Sequence, residues 1–251
     1  MSVKRIIPCL DIKDGMTVKG VNFIGLQTIG DPIEMGQKYV QDGADELVFL
    51  DISATVEGRK TFVDLVKRIS ENIHIPFAVG GGISSLEDAS KVLESGANKV
   101  SINSAAVRRP ELIDEIASRY GSGSLVVAID AKVVDGHWIV LTHGGERISE
   151  HEFFGWAKEA QERGAGEILF TSMDHDGTKS GYPCETYARL HDILSIPVIA
   201  SGGAGSVDDI VDVLTIGKAD AALAASVFHY GEISIPVLKQ TLHEKGINVR
   251  L

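Results

Sequence analysis

Eight short apolar runs recur along the chain, at residues 6–10, 47–50, 76–79, 99–102, 125–129, 168–170, 197–200 and 221–225. Their hydrophobicity is nearly continuous rather than alternating, as strands buried on both faces of a parallel sheet require. The segments between them carry helix signals. Asp31-Pro32 and Ser206-Val207-Asp208-Asp209 read as helix starts, Ser84 to Glu87 and Ser149 to Glu152 as capping boxes, and Gly43, Gly96, Gly121, Gly164 and Gly217 as stops. Eight strand-then-helix units predict an α/β fold of the (β/α)8 TIM barrel type. An open doubly wound sheet is the structural alternative.

An internal repeat favours closure. Ile75-Pro76-Phe77-Ala78-Val79-Gly80-Gly81-Gly82 returns as Ile196-Pro197-Val198-Ile199-Ala200-Ser201-Gly202-Gly203, and Gly43-Ala44-Asp45-Glu46-Leu47-Val48-Phe49 as Gly164-Ala165-Gly166-Glu167-Ile168-Leu169-Phe170, both 121 positions later. The stretch from Gly96 pairs with that from Ala219 at nearly the same offset, shifted by one around Lys218. The expected organisation is a single barrel domain over residues 1–251, made of two fused half-barrels of approximately 1–121 and 122–251.

Two connections depart from the short loops usual in such folds. Residues 12–30, with Gly15, Gly20, Gly25 and Gly30 beside Lys13 and Lys19, read either as a flexible insertion or as a lid over the C-terminal face of the barrel. Val133-Val134-Asp135-Gly136-His137-Trp138-Ile139-Val140 reads as a hairpin around an Asp-Gly turn.

Composition narrows the function classes. The 251 residues are 44% hydrophobic, ample for a core, and the net charge of -11 argues against a nucleic-acid partner, whose phosphates must be neutralised by Lys and Arg. Two cysteines, Cys9 and Cys184, indicate neither a disulfide framework nor a metal cluster and fit a reducing cytoplasm. No run approaches about 18 uncharged apolar residues and the N-terminus lacks a signal-peptide pattern, so the chain reads as soluble, cytoplasmic and unprocessed, with no membrane partner. His137, His143, His175 and His229 show no metal-site spacing and read as solvated or locally bonded, and Trp138 and Trp156 as packing residues. No metal and no cofactor are implied.

The chemistry concentrates at strand ends, where barrel enzymes carry their reacting groups. Asp11 and Asp130 each close an apolar run on the first and fifth strands, across the barrel from each other. Two such carboxylates can divide general base and general acid roles, although each could instead be a local cap. Gly80-Gly81-Gly82 and Gly202-Gly203 let backbone amides approach a ligand. Each cluster is followed one unit later by small residues opening a helix, Ser101, Asn103 and Ser104 in one half and Ala224, Ala225 and Ser226 in the other. One Gly-Gly turn is weak evidence, whereas two at the same repeat position point to an elongated ligand bearing two phosphates. Asp176-Gly177-Thr178 reads as a further contact to the second phosphate. At the opposite end, Arg5, Glu46, Lys99 and Glu167 have even spacing to inward-facing positions, so they read as a buried ring of two cations and two anions.

The segments Ile7-Pro8-Cys9-Leu10-Asp11-Ile12-Lys13-Asp14-Gly15, Val18-Lys19-Gly20, Val79-Gly80-Gly81-Gly82-Ile83, Ser101-Ile102-Asn103, Thr171-Ser172-Met173-Asp174-His175-Asp176-Gly177-Thr178, Ala200-Ser201-Gly202-Gly203-Ala204-Gly205 and Ala225-Ser226-Val227-Phe228-His229 together resemble the cyclase subunit of imidazole glycerol phosphate synthase, from histidine biosynthesis. The likeness covers essentially the whole chain. Residues 174–182 and the ending Gly246-Ile247-Asn248-Val249-Arg250 resemble the cyclase more than the pathway's phosphoribosyl-formimino isomerase, which shares the repeat and the paired acids.

The resemblance implies that ammonia from a glutaminase subunit, the partner in a heterodimer, condenses with the ribulosyl carbonyl of a bisphosphorylated formimino aminoimidazole-carboxamide ribonucleotide. The products are imidazole glycerol phosphate and aminoimidazole-carboxamide ribotide. It implies Asp11 as general base, Asp130 as general acid, Lys19 on the closing loop, and Asn103, Thr171 and Ser201 lining the cavity. It also implies that the charged ring gates ammonia. Ser104 stands where many relatives carry Thr, and Asn98 where Asp is common at the partner-facing end. The isomerase and a catalytically silent phosphate-binding scaffold stay open as alternatives, the retained Asp11 and Asp130 speaking against the second.

Overall fold

The computed structural model describes residues 2–21, 24–52 and 56–251. Eight parallel strands close into a barrel: β1 (Arg5–Lys13), β4 (Leu47–Asp51), β5 (Phe77–Gly80), β6 (Lys99–Ile102), β7 (Leu125–Val134), β10 (Glu167–Ser172), β11 (Val198–Ser201) and β12 (Ala221–Ala224). Pairing runs in that order, and β12 returns to β1 with Arg5 opposite Ala221 and Ile7 opposite Leu223. The helices α1 (Pro32–Gln41), α2 (Val56–Asn72), α3 (Leu86–Glu94), α4 (Ser104–Arg108), α5 (Glu111–Tyr120), α6 (Phe153–Glu162), α7 (Cys184–Ile193), α8 (Val207–Thr215), α9 (Ser226–His229) and α10 (Ile235–Glu244) lie between or after the strands. The open-sheet alternative is therefore set aside.

Strand parity separates two cores. Ile7, Cys9, Val48, Ala78, Val126, Leu169, Ile199, Ala221 and Leu223 fill the barrel interior. Their neighbours in sequence, such as Ile6, Leu10, Leu47, Phe49, Ile168 and Phe170, pack outward against the helices in the larger cluster. Buried on both faces, each strand must be apolar at almost every position, which is the pattern the sequence carries. Trp138 stacks edge-on against Phe170, and Trp156 is buried, so both tryptophans are packing residues.

Helix boundaries follow local chemistry with two exceptions. Asp31 caps α1 by accepting from Ile33 N and Glu34 N, with Pro32 in the first turn, and Ser206 and Asp209 form a reciprocal capping box on α8. At α3 the cap is Ser85, one residue later than expected, because Asp88 accepts from both Ser84 N and Ser84 Oγ. Ser149 is not a cap. It lies in β9 (Arg147–Glu152), whose pairing with β8 (His137–Thr142) overrides the local signal, and Glu152 itself caps α6 through Gly155 N at 2.8 Å.

Both long connections are ordered as hairpins. β2 (Met16–Val21) turns back on β1, placing Val18 opposite Asp11, and then pairs with β3 (Ile24–Gly30). The tip, Asn22 and Phe23, lies outside the described residues. The Asp135-Gly136 turn has positive φ at both positions, 48° and 81°, and joins β7 to β8 as expected.

At the N-terminal end of the barrel the four charges form a closed alternating ring. Arg5 reaches Glu46 Oε2 at 2.8 Å and Glu167 Oε2 at 2.9 Å, while Lys99 Nζ reaches Glu46 Oε1 at 2.8 Å and Glu167 Oε1 at 2.7 Å. Burial works against the Glu167 charge, but Arg5 and Lys99 outweigh it and hold its carboxyl below the usual range. Likewise burial opposes the Arg5 charge, and Glu167 and Glu46 more than compensate.

Candidate active site

At the other end of the barrel a cavity of about 1090 Å³ opens, lined by Asp11, Lys19, Gly82, Ser101, Asn103, Ser104, Asp130, Thr171, Asp176, Gly177, Ser201, Gly202, Gly203, Ala225 and Ser226, while Gly80 and Thr178 are not part of its lining. Asp11 ends its inward series on β1 after Arg5, Ile7 and Cys9, and Asp130 ends the corresponding series on β7 after Val126 and Ala128. Thr171 lies opposite Asp130 in the β10–β7 register and Ser201 opposite Thr171 in the β10–β11 register.

Environment separates the two acids. Burial raises the Asp11 carboxyl above its ordinary value, with Lys19 pulling it back down, its ammonium 3.5 Å from Asp11 Oδ2. Burial, aided by the negative charge of Asp176, pushes Asp130 to about 6, against hydrogen bonds from Asn103 and Thr171. Asn103 Nδ2 donates to Asp130 Oδ2 at 2.9 Å, which leaves Asn103 Oδ1 buried without a partner and available to a ligand donor. Asp176, expected only as a phosphate contact, acts electrostatically on both acids and is itself raised by burial, with Lys19 and Gly177 N opposing. The Cys9 thiol is pushed well up by burial and by Asp11, so it stays protonated and acts as packing.

The two glycine turns are built alike. A Cβ on Gly81, at φ 90°, would fall 2.0 Å from Asp51 O, and one on Gly202, at φ 79°, would fall 2.6 Å from Ser172 O. Asp51 and Ser172 are themselves repeat equivalents, so each half uses a glycine to let the preceding strand's last carbonyl pass beneath the turn. Ser104 Oγ accepts from His143 N at 2.8 Å, so its hydroxyl proton is not used in that bond. Gly82 and the start of α4 line the cavity in the first half, and Gly177, Gly203 and Ser226 at the start of α9 line it in the second.

Several lining residues were not foreseen. Asp51 ends β4 in a Leu50-Asp51 pair like Leu10-Asp11 on β1, visible in the sequence but not used. Arg108, His143, Lys179 and Glu232 also line the cavity, Lys179 holding Glu232 at 2.6 Å. At the opposite end, Asn98 Oδ1 accepts from Phe77 N at 3.0 Å, and Asp220 Oδ2 accepts from Val198 N at the same distance in the other half. An amide therefore serves there as well as a carboxylate.

The histidine biosynthesis protein family matches residues 5–234. The chain belongs to this family. It is similar to three proteins named imidazole glycerol phosphate synthase subunit HisF: 61% identical to that of Phocaeicola vulgatus, and 60% identical to those of Bacteroides fragilis (strain YCH46) and Flavobacterium johnsoniae. Each alignment covers the whole of both chains. Among the described residues, no helix is long and apolar enough to cross a membrane.

Proposed function

We propose that this chain is the cyclase subunit of imidazole glycerol phosphate synthase, acting in the cytoplasm as a heterodimer with a glutaminase subunit. On this reading residues 1–251 are one barrel domain of two half-barrels, approximately 1–121 and 122–251. The carrying observation is the placement of two burial-raised carboxyls, Asp11 and Asp130, on opposite strands of a cavity with a glycine cradle in each half. Full-length identity of about 60% to synthase subunits supports it.

The substrate is an elongated bisphosphorylated formimino ribonucleotide. Fixing both phosphates holds the ribulosyl carbonyl over the barrel axis, so much of the entropy of bringing it to ammonia is lost on binding rather than in the reaction. Asp130, with a carboxyl near 6, keeps a protonated fraction at neutral pH and delivers a proton to the departing hydroxyl as ammonia condenses with the carbonyl. Asp11, whose charged form Lys19 favours, removes protons as the imidazole ring closes. Ammonia arrives through the ring of Arg5, Glu46, Lys99 and Glu167, whose ion pairs must part for it to pass.

The test is to supply the formimino ribulosyl nucleotide with an ammonium salt at alkaline pH and follow release of aminoimidazole-carboxamide ribotide. Release establishes the cyclase. No product from folded protein would overturn it, and isomerisation of the formimino precursor without added ammonium would indicate the isomerase.

A further inference from the structure

A polar pair outside the barrel interior breaks the twofold repeat. Tyr39 on α1 and His229 at the end of α9 meet with the phenol oxygen 2.6 Å from Nδ1 and ring centroids 6.0 Å apart. Their repeat equivalents, Ala160 on α6 and Val107 on α4, are apolar and pack into the core. One half thus meets the need for packing without polar groups. Replacing such a pair by buried polar atoms costs desolvation, so the polar version is retained for something other than packing.

Burial of the imidazole, with the Lys19 charge adding to it, pushes His229 down to about 4, so the ring is neutral at physiological pH. Burial and Asp42 push the Tyr39 phenol up, so it keeps its proton. With the Cys9 backbone acting as an acceptor toward the ring and Nδ1 facing the phenol, the ring proton belongs on Nε2, and Tyr39 donates to Nδ1. That Nε2 is buried and completes no hydrogen bond of ordinary geometry, while the Cys9 backbone acts on the ring as an acceptor. Cys9 lies two residues before Asp11 on β1. At the other end of the same short helix, Ser226 lines the second phosphate cradle.

We infer that His229, set in its tautomer by Tyr39, is a positioning residue that completes an Nε2–H bond to the Cys9 carbonyl when phosphate occupies the second cradle, and so ties ligand binding there to the placement of Asp11 beneath Lys19. Catalytic hydrogen bonds are commonly long in unliganded enzymes and shorten in the complex. The inference rests on the cyclase reading of the cavity.

Ammonium-driven turnover of the intact chain is measured for wild type, Tyr39→Phe, His229→Asn and His229→Gln, together with melting temperature and inorganic phosphate binding. Glutamine can present an amide N–H near the Nε2 position, whereas asparagine reaches only the Nδ1 position. The expected result is a kcat lowered about tenfold to a hundredfold in Tyr39→Phe and His229→Asn, with KM, phosphate affinity and melting temperature close to wild type and substantial rescue in His229→Gln. Wild-type kcat in Tyr39→Phe and His229→Asn would overturn the inference, as would losses that follow melting temperature without distinguishing Asn from Gln. An inactive wild type would instead refute the cyclase reading, so the two failures are distinguishable.

Discussion

Lys19 Nζ stands 3.5 Å from Asp11 Oδ2 because β2 folds back antiparallel on β1 with Val18 opposite Asp11. A cation on the hairpin thus sets the protonation of a carboxylate on the barrel. Removing it with Lys19→Ala leaves burial and Asp176 to raise Asp11 unopposed. A base works only when deprotonated, so the acidic limb of kcat/KM should move to higher pH in the variant. A pH profile checks this, and an unmoved limb would show that Asp11 is not the group titrating there.

Asp130 carries a stability cost that its pKa makes measurable. With a carboxyl at about 6 in the folded chain and an ordinary value of 3.8, the folded state keeps a proton that the unfolded state has already released. Its favourable contribution is full below the ordinary value and is lost as pH rises through about 6. Asp130→Asn should therefore be more stable than wild type at pH 7, by on the order of 2 kcal/mol, with the advantage disappearing toward pH 4. Denaturant midpoints across that range test it.

Two anion sites should fill independently. Inorganic phosphate should occupy one cradle at Gly82, Asn103 and Ser104 and another at Gly177, Gly203 and Ser226, since oriented amides bind anions without further help. Gly202→Ala, whose Cβ would collide with Ser172 O, should weaken the second site and spare the first. Crystals soaked in phosphate that show one site only would contradict the duplicated cradle.

The ring at the N-terminal end separates two supplies of ammonia. Lys99→Ala should leave ammonium-driven turnover near wild type, because free ammonia enters from the open cavity, while altering glutamine-driven turnover with the glutaminase subunit present. It should also cost stability, roughly 3 kcal/mol or somewhat less because the Lys99 side chain keeps some solvent access. An unchanged ratio of the two turnovers would make the ring an ionic plug.

The barrel was legible in the sequence because parallel strands buried on both faces leave continuous apolar runs, and because the runs recur in duplicate. Period-two parity likewise placed Arg5 and Asp11 on one inward face, where the structure has them at opposite ends of the barrel. Features that depend on contacts between distant elements were not legible. Ser149 and Glu152 carry the residues of a capping box, yet Ser149 lies within β9 and its hydroxyl accepts from His151 N instead. Asp176 lies in a loop whose path no periodicity reports, so its action on both acids emerged only from the fold. Tyr39 and His229 are 190 positions apart.

The division of labour between the two acids is tested most directly by ammonium-driven turnover of the formimino ribulosyl nucleotide, measured for wild type, Asp11→Asn and Asp130→Asn alongside substrate affinity. Each variant should lose roughly a hundredfold or more in kcat while binding the bisphosphate nearly as well as wild type. Near-normal turnover in either variant would return that carboxylate to a structural role and contradict a two-acid mechanism.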